Sequence, residues 1–447
     1  MKFVRSSFSP VTSLAMFALM FSSVRGAPAP LQDVPDSLDL PTALRFALEN
    51  NFAIRQARER IRQQEGVVVE VKARAIPNVT ADGNYQFNEK AISNGAPPSD
   101  RSWGLSVTAS QTLYSGGGVR SAIKSAGLAR EAAVLELTGV VNNALLDVRT
   151  RFYDILLARE KIKVQESNVE LLKSQLKNVT DRFEAGTISS FERLRAEVAL
   201  ANAQVPLISA RNAYRLAIDS LRQSLGFVTN TQESLRKTPE FVGSLAYQPV
   251  NFELQASLDS ARANRPEISR LSKLIEAREE AVVTARSSAY PYVSAFGGWQ
   301  LRKGPTNTFG DSRDGFLVGV QSQWDIFDGA ATKGRVIQAR SLQEQARLIL
   351  DEQTLAINVE VRQALSSLQE AVELAEASQK VVAQAEESLR LANARYGAGT
   401  ATQLDVLQSQ VDLTTARTNQ IQAYYNYNVA LARVRKAIGL SDSSVAD

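Results

Sequence analysis

No cysteine and no histidine occur among the 447 residues. Without cysteine there is no disulfide scaffold and no lipid attachment through an N-terminal thiol. Without histidine there are no Ser–His or Cys–His nucleophile pairs, few ways to hold zinc, and no ordinary general base near neutral pH. Carboxylates acting alone remain, but no two acids fall in a recognisable pocket motif. No catalytic residue, cofactor or metal site is expected. An excess of charge is also lacking. The formal net charge is +4, and removing Lys2, Arg5 and Arg25 of the acid-free first 26 residues leaves +1. Basic and acidic residues alternate along the chain, which reads as solvated helix surface and gives no nucleic-acid partner. No apolar run reaches the ~20 residues of a membrane-spanning helix. Val11–Phe21, behind Lys2 and Arg5, has the form of a signal peptide over 1–26, cleaved before Ala27. An exported chain of this kind can enter a membrane only with strands.

What is present is a duplication. Arg182-Phe183-Glu184-Ala185-Gly186-Thr187 returns as Arg395-Tyr396-Gly397-Ala398-Gly399-Thr400, an offset of 213 (395 less 182). The same offset carries Leu113-Tyr114-Ser115-Gly116 onto Ile326-Phe327-Asp328-Gly329, and Leu221–Gly226 onto Val434–Gly439. Upstream, Asn51-Phe52-Ala53-Ile54 matches Arg265-Pro266-Glu267-Ile268 and Pro77 matches Pro291, both at an offset of 214 (291 less 77). These blocks divide the chain into a first repeat over 27–226, an irregular linker over 227–251, a second repeat over 252–440 and a tail over 441–447.

Each repeat opens with a helical stretch of about 35 residues, passes a proline and two alternating segments, and ends in two long helices around a Gly turn. Arg335 to Tyr396 holds neither Gly nor Pro, and 62 helical residues would span about 93 Å. Val169, Leu172, Leu176, Val179 and Phe183 keep the 3,4 spacing of a coiled-coil seam, as do Val382, Ala385, Leu389, Ala392 and Tyr396. The returning helix is shorter, and the opening stretch has the length to stack on its end. Pro206 stands mid-helix where the second repeat has Asn419, so a bend is expected only in the first. The hairpin tips fall near 182–190 and 395–403.

The alternating segments are predicted strands at about 77–89, 103–114, 291–302 and 315–327. Val79, Ala81, Gly83, Tyr85 and Phe87 alternate with polar residues, as do Trp103, Leu105, Val107 and Ala109, and the second repeat keeps the phase. Period two with one apolar face is the pattern of a transmembrane strand. One such segment alone would read as a half-buried strand of a soluble sheet; four in matched phase in an exported chain read as membrane strands. Four strands cannot close a barrel, and open edges in lipid leave N–H and C=O groups stranded. Two copies would give eight strands, filled by their own side chains, and three would give twelve with an open lumen. Three copies are favoured.

Leu40-x-x-Ala43-Leu44-x-x-Ala47-Leu48-x-x-Asn51-x-x-Ile54, the two strand ends at Leu113–Gly116 and Ile326–Gly329, and the two Arg-aromatic-x-Ala-Gly-Thr turns resemble the TolC family of outer membrane efflux proteins. The resemblance covers nearly all of the mature chain. It implies a mainly α fold with a transmembrane β part: a homotrimer sharing a twelve-stranded barrel in outer-membrane lipid above an α-helical periplasmic tunnel. It also implies a periplasmic adaptor protein at the tips and an inner-membrane transporter as the source of energy. The tips would be Arg182, Phe183, Ala185, Gly186 and Thr187 with Arg395, Tyr396, Ala398, Gly399 and Thr400. Asp405 falls where the family places an acidic ring at the periplasmic constriction, and Tyr396 and Glu192 on an aromatic–acid contact that ties helix pairs shut. Gln408 and Ala401 depart from acidic and basic residues of some members. A plainer reading stands beside these: Gly186 and Gly399 as helix C′ residues, and Ser189-x-x-Glu192 and Thr402-x-x-Asp405 as capping boxes. The expected function is an outer-membrane exit duct of an efflux pump or type I secretion system; the alternative is a periplasmic coiled-coil adaptor or a structural protein without a pore.

Overall fold

The structure, a computed structural model, describes residues 36–87, 89, 101–227, 239–304 and 308–440. The expected signal peptide, most of the loop after Phe87, residues 228–238 of the linker and the tail 441–447 lie outside the described residues. The described residues of 37–227 and 240–440 form one compact unit, which holds every described helix and strand.

In chain order the elements are β1 (Ser37–Leu38), α1 (Leu40–Asn50), α2 (Phe52–Ala73), β2 (Asn78–Phe87), β3 (Arg101–Tyr114), α3 (Gly118–Glu184) and α4 (Ser190–Leu225). Then come β4 (Glu240–Phe241), α5 (Leu254–Asn264), α6 (Pro266–Ser287), β5 (Tyr292–Lys303), β6 (Ser312–Gln323), α7 (Ala331–Gly397) and α8 (Gln403–Ala437). Helices α3 and α7 are 67 residues each, about 100 Å at 1.5 Å per residue. Two buried clusters hold the helices together. One contains Val148, Ile155, Leu221 and Leu225; the other contains Val361, Leu368, Val434 and Ile438, each 213 residues further on (361 less 148). Helix α4 runs as one helix through Pro206, so the ring removes one backbone donor without ending the element.

The opening stretch of each repeat is two helices, not the single one expected. In the first repeat Asn51 takes ψ 128° and caps α2, its side chain accepting from the N–H groups of Ala53 and Ile54 at 2.9 and 3.3 Å. In the second, Pro266 forces Arg265 out of the helical region, to ψ 119°. Both breaks serve one purpose. Asn51 Nδ2 donates to the Ser224 carbonyl at 2.6 Å, and Arg265 Nη1 reaches the Lys436 and Ala437 carbonyls at 3.4 Å. Each returning helix thus ends on the N-terminus of an opening helix, its last carbonyls satisfied by a side chain. Gly226 and Gly439 make the close approach possible. Both have positive φ (78° and 72°), and a Cβ on Gly226 would lie 2.4 Å from the Asn50 carbonyl oxygen.

The described linker crosses the helices at mid-length. β4 pairs in parallel with β1, and Arg159 donates to the carbonyls of Phe241 and Gly243 at 2.6 and 2.5 Å. Tyr247 stacks on Tyr424 at 5.8 Å, and the Tyr427 hydroxyl donates to the Gln248 carbonyl.

Strands β2, β3, β5 and β6 form one antiparallel sheet in the order β2-β3-β5-β6, and β2 and β6 have no further neighbour among the described residues. Register brings the alternation into line. Tyr85 opposes Trp103, Val107 opposes both Ala81 and Trp299, and Trp299 opposes Phe316. Directly opposed residues share a face, so the apolar sets of all four strands make one surface. Its edge is bare: Phe316 is 88% and Val318 87% exposed. The other face carries Thr80, Thr108, Ser106 and Gln300, with Leu317 and Phe296, the latter laid across Gly319, as apolar exceptions. Strand β6 begins at Ser312 and ends at Gln323 rather than running over 315–327. Its partner β5 starts at Tyr292, opposite Gln323, and Pro291 before it has no N–H to offer. Trp324 turns its indole N–H to the Ala289 carbonyl at 3.1 Å, and Asp328 already accepts the Thr332 N–H of α7 at 2.7 Å.

Candidate functional site

The two hairpin tips share one turn chemistry. At the end of α3 the Gly186 N–H donates to the Phe183 carbonyl at 2.9 Å and the Thr187 N–H to the Arg182 carbonyl at 3.0 Å. At the end of α7 the Gly399 N–H donates to Tyr396 at 3.1 Å and the Thr400 N–H to Arg395 at 2.9 Å. This double closure is the Schellman arrangement, which needs a left-handed residue at the turn. Gly186 and Gly399 supply it with φ of 73° and 76°, and a Cβ on either would meet nothing within 4 Å. Glycine is needed here for its conformation and not for space. The threonine hydroxyls add a second bond each, to the Arg182 and Arg395 carbonyls at 2.9 and 3.2 Å. Ala185, Gly186, Thr187, Arg395, Ala398, Gly399 and Thr400 are exposed, leaving a rigid, solvent-facing edge.

Beyond the turns the two repeats diverge. Thr402 and Asp405 form the capping box: the Asp405 N–H donates to Thr402 Oγ1 at 3.3 Å, and Asp405 Oδ2 accepts from the Thr402 N–H and hydroxyl, both at 2.8 Å. The Thr402 N–H above all, then its hydroxyl, holds the Asp405 carboxyl below its ordinary 3.8. The carboxylate is therefore exposed, charged and fixed in direction. Ser189, with a similar extended backbone, makes no side-chain cap bond, so the box expected with Glu192 is absent. The Glu192 N–H goes to the Ser189 carbonyl at 3.2 Å instead. Gln408 is tied along its own helix, donating to Asp412 Oδ1 at 2.9 Å.

Tyr396 is brought to Arg182 rather than to Glu192. The Arg182 guanidinium lies 5.1 Å from the Tyr396 ring centroid and joins the two tips, while Arg193 covers Phe183 at 4.7 Å. The Tyr396 hydroxyl is buried without a hydrogen-bond partner, and so are both amide atoms of Gln403, a residue only 3% exposed. Leu389, Val406 and Leu413 pack beneath them. Two elements of this site have no signal in the sequence: Arg193, seven residues past Gly186, and Gln403, whose burial follows from the hairpin's closure.

An exposed-edged amphipathic sheet above two long helical hairpins defines an outer-membrane channel class. The chain belongs to the outer membrane efflux protein family, whose model matches residues 43–227 and 257–440. It is 25% identical over 394 residues to Protein CyaE of Bordetella pertussis, covering 88% of this chain and 82% of that one. It is also 25% identical over 386 residues to the cobalt-zinc-cadmium resistance protein CzcC of Cupriavidus metallidurans, covering 85% of each. The fold is that of a membrane protein from Pseudomonas aeruginosa: TM-score 0.77 at 18% identity, over 92% of this chain and 99% of that one. The protein is placed in the outer membrane and serves efflux, and the adaptor and structural alternatives fall away.

Proposed function

We propose that the chain is the passive exit duct of a tripartite assembly, three copies sharing a twelve-stranded barrel and a helical tunnel. The observation that carries this is the four-stranded sheet with two bare edges and one continuous apolar face. In hydrocarbon each unpaired backbone group costs several kcal/mol, roughly, so the edges close on other copies, and twelve strands leave a water-filled bore. The apolar face meets lipid; the face of Ser106, Thr108 and Gln300 meets water. Residues 1–26 are the leader, 27–226 and 252–440 the two repeats, and 227–251 with the tail the belt.

At the periplasmic end the Arg182–Thr187 and Arg395–Thr400 turns dock a periplasmic adaptor, and an inner-membrane transporter drives export. Three copies of Asp405 make the narrowest ring, with Gln408 one turn further in. The Arg182–Tyr396 contact holds the hairpins together, and Glu192, free of a side-chain cap bond, is available to a neighbour when they part. No covalent chemistry is proposed for the duct. The relatives' names span metal resistance, protease secretion and pyoverdine export, so cargo choice belongs to the transporter. The mass of the detergent-solubilised protein tests the assembly: three chains per particle with single-channel current in planar bilayers is expected, and a monodisperse monomer without current would overturn it.

A further inference from the structure

The sheet's polar face carries one feature at odds with a neutral bore. Arg302 of β5 and Arg313 of β6 are directly opposed partners. Counting by twos from Ser294, Gln300 and Gln321 puts both on the polar face, away from Trp299 and Phe316. Like charges in directly opposed positions destabilise a ladder. Both arginines are exposed, and neither has an ion pair or hydrogen bond among the described residues. Nearby Lys303 and Asp311 do have partners, so the pair is not a general feature of this end of the sheet. Of the acids on this side of the sheet, Asp82 aligns with Ser106 and Gln300, one row nearer the helices and two strands away, and the Asp311 carboxylate lies over Gly304, two residues beyond Arg302.

The surroundings leave room for a ligand. Gly104 is the β3 partner of Arg302, and Gly315 is the next residue on that face of β6, opposite Gln300. A Cβ on Gly315 would meet nothing within 4 Å. Asn84 lies beyond Gly104 in the same row. The two guanidinium groups therefore stand beside open backbone at Gly315, while the Asn84 side chain lies over Gly104. Planar forks suit the paired oxygens of a phosphate group.

We propose that Arg302 and Arg313 form a phosphate-binding site at the barrel end away from the helical tips, occupied by phosphate-bearing anions. It rests on the reading of this face as water-lined. The pair would attract phosphorylated solutes at the outer mouth, opposite in sign to the Asp405 ring. Arginine–phosphate bonds of this kind are each worth about tenfold or more in affinity.

The test uses the assembled full chain in phosphatidylcholine bilayers with pyrophosphate as probe, added to the side opposite the tips. Wild-type current should be blocked; Arg302→Gln with Arg313→Gln should still conduct, with block weakened about a hundredfold if the two contributions add. Arg302→Lys with Arg313→Lys should retain part of the block. A second arm measures organic phosphorus retained by the detergent-washed protein. If that phosphorus is lost in the Gln variant, the phosphate at the pair comes from a lipid headgroup and not a dissolved anion. Wild-type current without pyrophosphate block, and phosphorus equal in both proteins, would overturn the proposal. Absence of current in the wild type would instead count against the duct itself.

Discussion

Asp405 holds two roles that substitution can separate. Its carboxylate completes the capping box through Oδ2, and its charge faces solvent at the start of α8. Asp405→Asn keeps an oxygen able to accept from the Thr402 N–H but removes the charge; Thr402→Ala keeps the charge but deletes the cap. Loss of a threonine N-cap costs about 1 kcal/mol, which raises local opening about fivefold. Thr402→Ala should thus speed amide exchange of residues 403–406 by roughly that factor, while the cation preference of the pore stays. Asp405→Asn should do the reverse: exchange near that of the wild type, and a reversal potential in a salt gradient moved toward neutrality. The pH dependence has a definite sign. Because the folded carboxyl lies below 3.8, its charge and its capping bonds are complete above that pH and are lost only as pH falls through the lower folded value. Cation preference should therefore hold in mildly acidic solution and fade below about pH 3.8. If Asp405→Asn leaves ion preference unchanged while Thr402→Ala alters it, the charge is not at the constriction and Asp405 is a cap alone.

Three further outcomes follow from the packing. Ala330 has φ 69° without being glycine, whereas the first repeat places Gly117 at φ 83° in the same N-cap position; Ala330→Gly should stabilise by about 1 kcal/mol, and an unchanged thermal midpoint would contradict the strain. Gly226→Ala combines positive φ with a Cβ 2.4 Å from the Asn50 carbonyl oxygen, so a loss above about 2 kcal/mol is expected, whereas Gly186→Ala, with open space around it, should cost only the backbone term; equal losses in denaturation would refute the close-approach argument. Arg265 is 4% exposed and bonds Glu267 at 3.0 Å and Glu360 at 2.9 Å, with Lys436 also on Glu360 at 3.0 Å. Burial pushes the Glu360 carboxyl up, but the bonds from Arg265 and Lys436 outweigh it and hold it below 4.5. That stability is present above about pH 4.5 and lost as pH falls through the folded value. Arg265→Met should cost about 2 kcal/mol, since Glu360 is partly solvated and keeps Lys436, and should flatten the acid limb of a denaturation profile; an unaltered limb would disprove the coupling.

The fold class was legible because long helices and membrane strands write distinct periods. The Val169–Phe183 seam and the Val79–Phe87 alternation cannot be exchanged for one another. What escaped the sequence were contacts set by tertiary closure. Asn51 and Arg265 fall at matching positions of the two repeats but are chemically unlike, yet both break the opening helix and grip the last carbonyls of the returning one; only the shared geometry reveals the shared task. The spacing Ser189-x-x-Glu192 matches Thr402-x-x-Asp405, but Ser189 makes no side-chain cap bond and no box forms. The hydrophobic character of Trp324, Ile326 and Phe327 extended β6 too far, because apolar content does not reveal where a partner strand runs out. Arg302 and Arg313, eleven residues apart across a loop, become neighbours only once the register is known.

The most direct measurement exploits the missing cysteines. Single replacements along β3 at Leu105, Ser106, Val107 and Thr108 give one thiol per chain, each scored in planar bilayers with a charged, water-soluble thiol reagent. Current should change on labelling at 106 and 108 and stay constant at 105 and 107, which lie against lipid. Equal labelling at all four positions, or the reverse alternation, would contradict a shared barrel with water inside and lipid outside.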